Sequence, residues 1–367
     1  KLKRQHSLTK IVAITGSAGK TSLKNLIKKL LQKFANTYSS PRSFNNHLGV
    51  PISLSNLGVK DNYGVFEVGM SKAGEIKNLS NLIQPHIGII TNIGEAHIEN
   101  FDNIRGIAKA KAEIMDNIKK KGTIILNRDD KYFSFLRKRA KLKKIKIVTF
   151  GKNKKSDIQL LKIIENKNYR KIFIKVKNQK IDIDIKNINI SNVLASLAVI
   201  KEFNLNLNDV KNFFRKIEPT EGRGKIHLIS RYNKQFKLID ESYNANPLSV
   251  KNAINNFDLI KKEKFKKYLI LGDMLELGHK SEKYHKNLSK VINNSDIDKV
   301  FIKGEKTLFT YKNLNKSKQG NILQNKDDID FVLKNLIANN DYLMIKGSNA
   351  TGLNNFSKKM IKGLHVI

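Results

Sequence analysis

Gly16-Ser17-Ala18-Gly19-Lys20-Thr21 carries the most specific chemistry in the chain. It follows an apolar run at 11–15 and leads into a stretch with helical spacing from Lys20 to about Phe34. A strand, a glycine turn and a helix in that order let backbone N–H groups turn inward around phosphate oxygens, and the helix start adds partial positive charge. In such a loop Lys20 bridges the β- and γ-phosphates of a nucleoside triphosphate and the Thr21 hydroxyl holds Mg²⁺. The strict phosphate-loop pattern wants glycine five positions before Gly19, where Ile14 stands, so a shorter TGxxGKT form is what remains. The bland account is a glycine turn that happens to precede Lys-Thr. The strand before and the helix after favour phosphate binding.

Three further segments put polar side chains at the ends of expected strands, where ligands bind in open α/β sheets. They are Glu67-Val68-Gly69-Met70, Thr91-Asn92-Ile93-Gly94-Glu95-Ala96-His97-Ile98-Glu99 and Ala108-Lys109-Ala110-Lys111-Ala112-Glu113-Ile114. The chain has no cysteine, which excludes disulfides and thiolate metal sites and leaves oxygen and imidazole as metal donors. Taken alone, Lys109 and Lys111 both read as solvated helix lysines, and His47 as a polar loop residue.

The elements that must position these groups alternate. Expected strands at 11–15, 65–68, 87–91, 123–126 and 145–150 are interleaved with helices at 20–34 and 104–118, the mark of a mainly parallel sheet. Residues 157–185 alternate in a β-rich pattern without catalytic-looking side chains, as antiparallel strands at a domain edge do. A helix at 189–203 follows. Pro219, Gly222 and Gly224 then break the pattern, and a second alternation runs to the end of the chain. It consists of strands at 237–239, 268–271, 299–302 and 342–345 with helices at 248–257, 282–292, 329–337 and 352–361. The expected fold class is therefore α/β, with a larger domain over 1–221 and a smaller Rossmann-like domain over 222–367.

At 367 residues the chain has room for two or three cores, and 40% apolar with 28% charged residues is ordinary for a globular protein. No run approaches the roughly 18 apolar residues of a membrane span, and no signal peptide is expected. A formal charge of +38 invites a nucleic-acid reading. Only 10 of the 70 basic residues are Arg, however, and there is no Trp, so base-reading and stacking surfaces are not indicated. The lysine runs read as solvated surface that draws anionic substrates, and no nucleic-acid partner is expected.

Taken with Ser43-Phe44-Asn45-Asn46-His47-Leu48-Gly49-Val50-Pro51, Asp240-Glu241-Ser242-Tyr243-Asn244-Ala245-Asn246-Pro247, Leu271-Gly272-Asp273-Met274-Leu275-Glu276-Leu277-Gly278 and Lys346-Gly347-Ser348, the chain resembles the Mur ligase superfamily from end to end. It is most similar to the branch that joins D-alanyl-D-alanine to a UDP-N-acetylmuramoyl-tripeptide with ATP. The resemblance implies a P-loop-containing three-layer central domain and a cytoplasmic, monomeric enzyme of peptidoglycan precursor synthesis. It implies two Mg²⁺ ions, held by Thr21, Glu67, His97 and a carbamylated Lys111. Carbamylation needs a neutral amine, so desolvation should lower the pKa of Lys111. Lys20, Lys111, His97 and Glu67 take catalytic roles. Gly16, Ser17, Ala18, Gly19, Lys20, Thr21, Asn189, Asn192, Arg223 and Asp240 face the nucleotide. Asn45, Asn46, His47, Asn244 and Asn246 face the other substrates. One departure is Ile188, which stands where the family's HNxxN segment has histidine.

The family's reaction runs through an acyl-phosphate, and closure about 222–224 would exclude water from it, visible as compaction in scattering. The family's N-terminal UDP-binding domain has no counterpart here, and the chain starts at Lys1 without Met, so an N-terminal portion is expected beyond it. Rival readings are another Mur-type or folylpolyglutamate-type amide ligase, a nucleic-acid-dependent P-loop ATPase, and a non-catalytic remnant that binds ATP only.

Overall fold

The computed structural model describes residues 8–166, 169–177 and 179–363; the chain start at Lys1 and the end of the expected second domain at residue 367 lie outside them. The chain divides into two compact units. One runs to Gly94 and again over Asn100–Glu218; the other takes Glu95–Glu99 and everything described from Pro219 onward. Among the described residues no helix is long and apolar enough to cross a membrane.

The first unit runs β1 (Lys10–Thr15), α1 (Lys20–Leu31), β2 (Thr37–Ser39), α2 (Gly49–Ser55), β3 (Tyr63–Glu67), α3 (Glu75–Ile83), β4 (Ile87–Ile90) and α4 (Ile104–Ala112). It continues with β5 (Thr123–Asn127), α5 (Phe133–Leu142), β6 (Lys146–Gly151), β7 (Ile158–Glu165), β8 (Arg170–Val176), β9 (Gln179–Ile185), α6 (Ile190–Glu202) and α7 (Asn208–Lys211). The strands form one sheet in the order β2-β3-β1-β4-β5-β6-β7-β8-β9. Pairing is parallel from β2 to β7 and antiparallel across β7-β8-β9. The parallel strands are apolar runs buried on both faces, such as Ile11–Ile14. Successive strands depart from β1 in both directions, making its carboxyl end the switch point where such sheets bind ligands.

Helix α6 is apolar around its whole circumference, every residue from Asn192 to Ile200 is buried, and it accordingly fills the core of the sheet's first unit. Helix α4 stops at Ala112, short of the expected 118, and continues as a 3₁₀ turn, Glu113–Asn117. There Glu113 accepts hydrogen bonds from Gly74 N and Lys77 N at 2.8 and 3.1 Å, satisfying the N-cap amide and one first-turn amide of α3.

The second unit comprises β10 (Lys225–Arg231), β11 (Lys234–Glu241), α8 (Pro247–Asp258), β12 (Lys267–Gly272), α9 (Ser281–Asn293) and β13 (Lys299–Lys303). After them come α10 (Thr307–Tyr311), β14 (Gln319–Ile322), α11 (Lys326–Asn335), β15 (Tyr342–Lys346) and α12 (Leu353–Ile361). Its sheet order is β10-β11-β15-β12-β13-β14, parallel except for the β10/β11 hairpin. The hairpin closes at Tyr232-Asn233, both with positive φ, the backbone a two-residue turn needs to follow strand twist. The edge strand β10 was not expected. Its side chains are mostly half-buried, so it lacks the apolar run that marks its neighbours.

Candidate active site

The phosphate loop joins β1 to α1, with Gly19 in left-handed conformation at the helix start. The segment after β4 braces it. Asn92 accepts from Ser17 N through its carbonyl at 3.1 Å and from Ala18 N through its side chain at 2.8 Å. Thr91 Oγ1 donates to Ala18 O at 2.7 Å, and Ser17 Oγ donates to Gly94 O at 2.9 Å. Gly16 has φ 147, and a Cβ there would lie 1.8 Å from Thr91 Oγ1, so glycine is required. Lys20 Nζ folds back to Gly16 O at 2.9 Å, across the mouth of the loop. The first-turn amides of α1 have no acceptor within the helix and make it an anion site.

Glu67, at the end of β3, is the centre of the arrangement. Parallel pairing sets it beside Ile14 of β1, next to the loop. Its Oε2 accepts from Thr21 Oγ1 at 2.6 Å, and its Oε1 accepts from Asn45 Nδ2 at 2.7 Å. The carboxylate therefore links the phosphate loop to the 45–47 segment through two short hydrogen bonds, the stronger kind made by an ionised acceptor. Lys111, on α4, is 2% exposed, against the solvated reading its residue type alone supports. Burial, and after it the charge of Lys20, hold its ammonium well below the usual lysine range. The neutral amine that carbamylation requires is thereby favoured. Lys109 is exposed, as expected.

Around this centre the expected residues separate by role. Asn46 Oδ1 accepts from Gly49 N at 2.8 Å and fastens the start of α2, while His47 is exposed. Asn189 caps α6 by accepting from Asn192 N at 3.3 Å. Asn192 is buried, and its Nδ2 lies 3.5 Å from Gly19 O, behind the phosphate loop. Ile188, in the place of the family's histidine, packs into the hydrophobic core.

In the second unit, Asp240 is the last but one residue of β11, with 1% exposure. It accepts from Gly222 N at 2.7 Å and from Ser242 Oγ at 2.6 Å, while its carbonyl accepts from Gly224 N at 2.8 Å. The glycine segment is thus stitched to the strand. The Arg223 guanidinium lies 4.2 Å from the Tyr243 ring centroid. Lys346 is buried and donates to Asn244 O at 2.8 Å and Glu241 O at 3.3 Å. Burial raises the Glu241 carboxyl against the opposing pull of Lys346 and Arg223. Asn244 is exposed, and Asn246 caps α8 in a capping box with Ser249. His97 falls in the 95–99 segment that groups with this unit, and its Nδ1 lies 2.8 Å from Glu276 Oε2. That contact holds the Glu276 carboxyl below the ordinary glutamate value.

Among the described residues no group of three or more His, Asp or Glu side chains is spaced to hold a metal. The Thr21 hydroxyl and the Glu67 carboxylate, 2.6 Å apart, nevertheless suit Mg²⁺. That ion takes one or two carboxylates, keeps several waters and binds substrate phosphates rather than filling an all-protein cage. A carbamylated Lys111 would add a second anionic oxygen donor. Sequence reasoning placed Thr91 and Asn92 only in a strand-end segment where ligands bind, and passed over Lys24. The signal for Lys24 was a lysine within the apolar stripe of α1, among Leu23, Leu26 and Ile27.

Residues 14–200 match the Mur ligase middle domain and residues 224–349 the Mur ligase, glutamate ligase domain. The chain belongs to the Mur ligase family, ATP-dependent enzymes that form amide bonds. It is 33% identical to the UDP-N-acetylmuramoyl-tripeptide–D-alanyl-D-alanine ligase of Buchnera aphidicola subsp. Acyrthosiphon pisum, over 98% of this chain and 78% of that protein. Identity to the ligase of the same name from Bacillus subtilis is 31%, over 96% and 76%. A crystal structure of MurF from Acinetobacter baumannii superposes with a TM-score of 0.86 at 26% identity, covering 98% of this chain and 78% of that one. MurF from Thermotoga maritima, solved in complex with ADP, shares the fold with a TM-score of 0.86 at 22% identity, over 98% and 81%.

Proposed function

We propose that this ligase joins the amine of D-alanyl-D-alanine to the terminal carboxylate of a UDP-N-acetylmuramoyl-tripeptide in the cytoplasm, with ATP as the activating substrate. The names of the relatives support the choice of substrates. The observation that carries the chemistry is the Thr21–Glu67–Asn45 chain of hydrogen bonds, which sets a phosphate-loop hydroxyl, a carboxylate and the 45–47 segment side by side. Asn45, Asn46 and His47 hold the peptide substrate; Arg223 and Asp240 serve the nucleotide, and Asn244 and Asn246 the incoming dipeptide.

The tripeptide carboxylate attacks the γ-phosphorus, the bond to the β-phosphate oxygen breaks, and ADP leaves an acyl-phosphate. Lys20, already reaching across the loop, offsets the charge that develops on the transferring group. The neutral amine of the dipeptide then attacks the carbonyl carbon, the carbon–oxygen bond to phosphate breaks, and phosphate departs with the proton that the nitrogen gives up. Mg²⁺ bound near Thr21 and Glu67 would spread the phosphate charge, and a carbamylated Lys111 would supply an anionic oxygen donor to a second ion. The Thr21 and Glu67 oxygens are pre-aligned for that task.

Phosphate release from Mg-ATP, measured with the muramoyl tripeptide, with and without D-alanyl-D-alanine, tests the reading. Release that requires both substrates and yields a pentapeptide product supports it. Release stimulated instead by single-stranded nucleic acid would sink it in favour of a nucleic-acid-dependent ATPase.

A further inference from the structure

Helix α1 carries a second lysine, Lys24, one turn beyond Lys20. Its side chain is 0% exposed. The ammonium donates to Ser40 O at 2.6 Å and to Arg42 O. A buried ammonium is tolerated only where hydrogen bonds replace its hydration, so these carbonyls and the lysine determine one another's positions. They belong to the turn that leads from β2 into the 45–47 segment. Arg42 there has φ 42, a left-handed conformation that non-glycine residues adopt at a cost. The same turn is held from its other side by β3, where Ser40 N donates to Val65 O at 3.0 Å and Ser40 Oγ accepts from Glu67 N at 3.3 Å. Just past it Asn45 O accepts from Gly69 N at 2.8 Å, and Asn45 Nδ2 reaches Glu67.

We propose that Lys24 is a positioning residue for the muramoyl-peptide substrate: its ammonium fixes the 40–47 turn, so that Asn45 meets Glu67 while Asn46 and His47 face outward. Because Lys20 and Lys24 share one face of α1, a single rigid helix sets both the phosphate loop and the peptide-binding turn. Lys24 itself touches no reacting atom. The inference rests on the substrate assignment made above for Asn45, Asn46 and His47.

The test compares the wild-type chain, carried through the same cycle as control, with Lys24→Met and with Lys24→Cys alkylated by bromoethylamine in denaturant and refolded. The latter restores an ammonium of near-lysine length at the only thiol in a chain that has no cysteine of its own. Losing a charge-assisted hydrogen bond predicts that Lys24→Met raises KM for the muramoyl tripeptide about tenfold or more. Binding of ADP should stay within about twofold, and hydrogen–deuterium exchange should quicken at 40–47 and not in the second unit. Aminoethylation of Lys24→Cys should return both KM and exchange toward wild type. Equal effects on peptide KM and ADP binding, or no change in exchange at 40–47, would overturn the proposal. Should Lys24→Met fail to fold, the aminoethylated chain decides: folding without recovery of the peptide KM counts against a positioning role. Wild-type protein that ignores the muramoyl peptide would sink the substrate reading instead, and loop exchange would then judge Lys24 by itself.

Discussion

Thr21 Oγ1 and Glu67 Oε2 stand 2.6 Å apart although 46 residues separate them in sequence. Two parallel strands bring them together: β1 delivers the phosphate loop and β3 ends on the glutamate. Glu67→Gln keeps the shape of the side chain and removes its charge. We expect kcat to fall on the order of a hundredfold or more while ADP binding survives, as when one preorganised electrostatic group is lost. Coupled phosphate release and calorimetric titration with ADP check the two halves of this statement.

Gly16→Ala places a methyl carbon 1.8 Å from Thr91 Oγ1 at a φ of 147. Neither the loop nor its brace can absorb that without breaking the Thr91 hydrogen bond to Ala18 O. The variant should lose about 1–3 kcal/mol of stability and most of its nucleotide affinity. Thermal melting with and without ADP gives the result, since a ligand that no longer binds no longer raises Tm.

Ile188→His would restore the family's residue type at a position that this chain has turned into core. Ile188 is 8% exposed and packs in the first unit's hydrophobic cluster. An imidazole there should cost about 1–3 kcal/mol, read as a lower Tm. An unchanged or higher Tm would mean that the side chain turns outward to a polar partner.

His285 gives stability a dependence on pH. Met274 N donates to its Nε2 at 3.0 Å, so its ring proton sits on Nδ1, 2.8 Å from Ser281 O. Burial holds the imidazole below its ordinary value of 6.5, against the Ser281 hydrogen bond and the Asp273 charge, with Lys306 adding to the lowering. The folded state resists the proton, so between the lowered value and 6.5 the unfolded chain binds more protons. Stability must fall as pH drops through that window, by at most about 1.4 kcal/mol per pH unit. His285→Gln offers an acceptor to Met274 N without titrating, and the slope of Tm against pH between 7.5 and 5.5 should be flatter in that variant.

The strand–helix alternation and the phosphate loop were legible because each rests on local pattern: apolar runs for β1, β3 and β4, and glycines followed by Lys-Thr for the loop. Short elements were not. Helix α3 is only nine residues long, although Ile76, Leu79 and Ile83 line one buried face, and β2 has three residues. The site divides in the same way. Glu67 ends a recognisable strand. Lys111 falls in the apolar stripe of α4, four residues after Ile107 and three after Ala108, while Lys109 points elsewhere on the helix. The residue type of Lys111 alone still reads as solvated. Family resemblance singled out Lys111, and packing supplies the reason. Lys24 escaped both routes, since it belonged to no recognised motif and the apolar stripe around it was read only as a helix.

The antiparallel strands β7–β9 close one side of the first unit's sheet, with β9 outermost. On β9 Ile181, Ile183 and Ile185 point into the core while Asp182 and Asp184 alternate with them. Lys211 lies 2.8 Å from Asp182, and Arg215 lies 3.9 Å from Asp184. A bare strand edge is a template on which another chain can add a strand and begin to aggregate. Here that margin is studded with ion pairs, which any incoming strand would have to desolvate. Charged side chains on this border thus make strand addition there unfavourable in the folded chain, a protection that lies far from the chemistry.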